Sequence, residues 1–83
     1  MEEYIKSLYS IDIEAIMKLL SCEQELACKV FEHIMTEYGN RELFTMMNFL
    51  HAYLVGDIRD DYFQMKAEIR AIAEKYMPGT KEE

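Results

Sequence analysis

Eighty-three residues make one domain, near the lower limit of chains that fold without a metal or disulfides, and 51% hydrophobic residues with three glycines and one proline fit a compact helical protein better than a disordered tail. Sixteen acids against nine bases leave a net charge of -7, and no run of Lys or Arg gathers into a patch. That balance argues against direct nucleic-acid binding, which works through clustered cations, and against attraction to an anionic membrane.

In chain order, the first segment holds a conflict. One helix over residues 2–20 would project Asp12 from the middle of an apolar arc made by Ile5, Leu8, Ile16 and Leu19, and an unpaired buried carboxylate is costly. A break at Ser10 removes the difficulty, because Ser10 then caps a new helix and puts Asp12 and Glu14 in its first turn, where the helix dipole favours negative charge. The reading is a short helix near 2–9 and another near 11–20; the alternative is an unbroken helix with Asp12 paired inside.

Ser21, Cys22, Glu23 and Gln24 fit a capping box, Gly39 suits a left-handed helix end with Asn40 capping the next start, and Gly56 with Asp57 repeats that stop and start. Pro78 and Gly79 close the last element. These signals predict helices near 22–38, 41–55 and 58–76 joined by very short turns. The fold class expected is all-α, a small antiparallel helical bundle of four main helices over residues 1–78, followed by a polar tail over 79–83.

The last helix carries one stripe, Ile58, Tyr62, Met65, Ile69, Ile72 and Tyr76, about 100° wide. Phe63 stands off it. The two middle helices are different: Leu26, Ala27, Cys28, Val30, Phe31, Ile34, Met35 and Tyr38 cover about 200° of the first. Leu43, Phe44, Met46, Met47, Leu50, Tyr53, Leu54 and Val55 cover a similar arc of about 200° on the second. Such arcs need neighbours on two sides, and a second copy of the chain across a two-fold axis is the preferred cover, ahead of a self-contained monomer. The expected interaction surface comprises Phe44, Met46, Met47, Leu50, His51, Leu54 and Phe63.

Residues with chemical potential each have a plainer explanation. His51 flanks the apolar arc, where its titration could be tuned, but no second catalytic group is fixed beside it. His33 and Glu37 are four apart without the further ligands a metal needs, and Asp57, Asp60 and Asp61 lack the ligand positions of a calcium loop. Cys22 and Cys28, six apart on one predicted helix, cannot reach disulfide geometry and have neither a base nor an oxyanion site. Met17, Met35 and Met65 read as core filling. No phosphate loop or nucleophile motif occurs, so no enzyme and no cofactor is expected.

The start MEEYIKSLYS is acidic and lacks an apolar stretch of signal type, and the run Leu43 to Val55 is too short to span a bilayer, so the expected location is the cytoplasm. The sequence reading is therefore a non-catalytic protein-protein interaction module that forms a homodimer. Its alternative is an acidic inhibitor of phage or mobile-element type that blocks a basic nucleic-acid-binding partner. A third possibility is a metal-binding bundle or enzyme built on His51 and His33.

Overall fold

Apolar residues recurring at steps of three and four, interrupted only at short links, leave this chain little choice but helix. A computed structural model describes residues 2–56 and 62–77. It contains α1 (Glu2–Leu8), α2 (Ser10–Leu20), α3 (Gln24–Glu37), α4 (Asn40–Leu54) and α5 (Tyr62–Glu74), with no strand among the described residues. The protein is all-α. No helix among those residues is long and apolar enough to cross a membrane. Asp57, Ile58, Asp60, Asp61, Pro78, Gly79 and the expected tail lie outside the described residues.

The links differ from the expected ones. The break between α1 and α2 falls on Tyr9 (φ -127, ψ 43), and Ser10 is the first residue of α2 with no capping side chain before it. Ser21 does not open α3; it closes α2 in the left-handed conformation at φ 53, while the Cys22 N–H donates to the Met17 carbonyl at 3.2 Å. This is a Schellman-type closure, which uses the residue that the capping box would have needed. Cys22 is accordingly in the link and not on α3, whose N-cap is Glu23.

Gly39 also departs from its expected role: at φ -73 and ψ 170 it is the extended N-cap of α4, and Asn40 begins the helix. Tyr38 and Gly39, both extended, suffice to turn the chain. Gly56 does take the left-handed conformation expected, at φ +89.

The core lies between α2, α3 and α4, with Ile13, Ile16, Val30, Phe31, Ile34, Met46, Phe49 and Leu50 enclosed, and α5 adds Ile69, Ile72 and Ala73. The α1–α2 bend lays Tyr9 against Phe31, ring centroids 4.9 Å apart, so this short first helix covers a flank of α3. The wide arc of α3 is thereby covered within the chain: five of its residues are buried, and Leu26, Met35 and Tyr38 pack partly against the core. Tyr53 ties three helices, with the Lys18 and Lys66 ammoniums 5.5 and 5.6 Å from its ring centre.

Two polar contacts join α3 to α5. His33 Nδ1 and the Tyr76 hydroxyl are 2.8 Å apart, and the Tyr38 hydroxyl donates to Glu68.

Candidate interaction surface around Asp12 and His51

Ile13, Ala15, Ile16 and Leu19 bury one side of α2, and at about 100° per residue Asp12 falls near the centre of their arc. The break at Tyr9 does not rotate Asp12 out. Hydrogen bonds of 2.9 Å run from the Tyr9 N–H to the Ile5 carbonyl and from the Ile13 N–H to the Tyr9 carbonyl, so the helical ladder continues on both sides of the bend. Asp12 does occupy the first turn of α2, as the break predicted, yet it is only 2% exposed. Ile11, immediately before it, is 48% exposed.

The partner of Asp12 comes from α4. Asp12 Oδ1 lies 3.3 Å from His51 Nε2, close but without hydrogen-bond geometry, and the His51 ring is half open to solvent. Burial pushes the Asp12 carboxyl above its ordinary value of 3.8, and the neighbouring His51 charge only partly offsets this. A carboxylate oxygen and an unprotonated ring nitrogen would present lone pairs to each other, so the pair needs a proton on one member.

On α4, helical spacing puts Phe44, Asn48, His51 and Val55 within an arc of about 60°, all exposed. In the chain, Leu8 lies four residues before Asp12 and is also exposed. The half-open histidine thus shares its helical face with exposed Phe44 and Val55, and its buried carboxylate partner follows exposed Leu8 and Ile11 in the chain. The described contacts of His51 include no hydroxyl or thiol that it could activate. The arrangement can hold a proton and offer an apolar rim.

The expected surface residues are placed unequally. Phe44 is 65% exposed, Phe63 is exposed on α5, and Met47 and Leu54 are partly buried. Met46 and Leu50 are corrections to the expected surface: at 1% and 0% exposed they belong to the chain's own core and are closed to a partner. The reason is rotation of α4. Its buried arc includes Phe49, which the sequence reading did not place, and turns Phe44 and Val55 outward.

Sequence reasoning did not identify Leu8, Ile11 and Val55 as exposed, and it moved Asp12 to the surface. The available signal was Asp12's position within an apolar arc, which the break had been invoked to remove.

Elsewhere, His33 is engaged with Tyr76, and no group of three or more metal-ligating side chains occurs among the described residues. Cys22 and Cys28 are not joined by a disulfide; Cys28 is buried, and burial raises the Cys22 pKa, so Cys22 lacks the character of a reactive thiolate.

No protein-family model, curated protein or solved structure matches the chain.

Proposed function

We propose that the protein is a non-catalytic protein-protein interaction module that pairs with a second copy of itself through the α2–α4 face, in a reducing cytoplasm, with which two cysteines not joined by a disulfide agree. One observation carries this reading: at adjacent positions of α2, the isoleucine is out and the aspartate is in. An isoleucine left in water forgoes roughly 1.5–3 kcal/mol of burial, and a buried carboxylate with one imperfect partner adds a desolvation penalty. An isolated fold gains from neither. A partner covering Ile11, Leu8, Phe44 and Val55 recovers the burial and shields the Asp12–His51 pair from competing water.

A second copy is the favoured occupant because this face is mainly apolar, which lets two chains of charge -7 approach with little local repulsion. Acids occur on all five helices. The alternative, an inhibitor lodged in a basic nucleic-acid channel, calls for one concentrated acidic face and has less support.

Sedimentation equilibrium over the micromolar range tests self-pairing, using wild type and Phe44→Asp with circular dichroism to verify folding. The expected result is a dimer for wild type and a folded monomer for the variant. Monomeric wild type throughout that range would remove the proposal of self-pairing.

A further inference from the structure

Three neighbouring concavities of about 410, 420 and 350 Å³, none lined by His51, share lining residues. The first and second meet at Lys29 and Tyr76, and the first and third meet at Cys22 and Leu26. Together they form one open trough along α3 and the end of α5. Leu20, Cys22, Leu26, Ala73, Tyr76 and Met77 supply apolar surface, of which Tyr76 and Met77 are substantially exposed.

The edges are acidic. Glu23, Glu25, Glu32, Glu37 and Glu74 line the trough against Lys29 and Arg70, a surplus of three negative charges, and Lys29 is already 3.9 Å from Glu25. Glu23 and Glu25 stand at the start of α3, where the helix dipole favours acids. Glu37 does not: it occupies the last turn of α3, the negative end of the dipole, with no basic residue in that turn. Local helix stability therefore gives no reason for a carboxylate there, whereas an approaching cation would be attracted to it.

We infer that this trough docks an amphipathic helical segment of a partner protein, with apolar side chains on one face and Lys or Arg along its edges. The apolar lining gathers at the Leu20, Leu26 and Met77 end, with Tyr76 between, while the stretch from Lys29 to Glu37 is polar and acidic, so the docked helix would set its apolar anchors at the first end and its basic residues along the second. Pairing of this trough with the same trough of a second copy is disfavoured, because each would bring its own surplus of acids to the other's acidic rim. The inference uses no residue of the α2–α4 face and stands whether or not that face self-pairs.

The test uses the full chain and a synthetic amphipathic helix of Leu and Lys, with a Leu/Glu peptide of the same pattern as control. Isothermal calorimetry measures affinity and amide chemical shifts map the contact. The expected result is binding of the Leu/Lys peptide alone, with shifts concentrated in residues 22–37 and 70–77. Glu32→Lys combined with Glu37→Lys should weaken binding by about tenfold, whereas Glu3→Lys combined with Glu42→Lys, an equal charge change elsewhere, should leave it within about twofold. Equal weakening by both double variants would reduce the effect to net charge and overturn the inference. So would shifts on the α2–α4 face, or no binding to folded wild type.

Discussion

Asp12 Oδ1 stands 3.3 Å from His51 Nε2 where α2 meets α4, joining a carboxylate sealed in the core to an imidazole open to water. The asymmetry decides how the pair responds to substitution. Removing the aspartate leaves a histidine that water can solvate. Removing the histidine leaves a buried acid without its charge partner.

Asp12→Asn should therefore stabilise the fold near neutral pH, by about 1 kcal/mol, because it deletes a desolvated charge and strands none. The sign follows from the raised carboxyl pKa: the native state holds the Asp12 proton to higher pH than the unfolded chain, so this group's contribution to stability falls as pH rises above about 3.8. Urea titrations of both proteins should show a gap that opens from that pH and levels off above the native Asp12 pKa. A gap that does not vary with pH would show that Asp12 has no raised titration.

His51→Ala should act in the opposite direction. Without the opposing charge of His51, the Asp12 carboxyl should titrate at still higher pH, and the variant should lose stability near neutral pH by about 1 kcal/mol. The side-chain carbonyl resonance of Asp12, followed by NMR through an acid titration, reads the first effect directly.

Leu50 and Phe44 were equals in the sequence and should behave as opposites. Leu50→Ala empties a fully enclosed site and should lower stability by about 2–5 kcal/mol, while Phe44→Ala should change monomer stability by less than about 0.5 kcal/mol. Chemical denaturation at concentrations below any self-association separates them.

Tyr38 links the end of α3 to α5. Burial first, then its hydrogen bond to Glu68 and the charge of that carboxylate, push the phenol up to about 12. Since the native state keeps this proton above the ordinary value of 10, stability from this group should decline as pH rises from 10 towards 12. Tyr38→Phe should lack that decline and be about 1 kcal/mol less stable at neutral pH, as denaturation at both pH values would register.

The sequence by itself determined where the helices lie. Steps of three and four, together with the breaks near Ser10, Ser21, Gly39 and Gly56, placed α1 to α4 and the end of α5 within a few residues of their observed bounds. Even there the details shifted, because a link can close the preceding helix or open the next with the same residue: Ser21 was needed for the first role and Gly39 served the second.

Periodicity fixes the angles between residues on one helix, but not the rotation of that helix against its neighbours. That rotation depends on the packing of all five helices at once. It turned α4 to bury Phe49 and expose Phe44, and it held Asp12 inward while Ile11 faced water. The exposed apolar rim and the buried aspartate exist only at that level, which is why the tertiary structure alone could decide them.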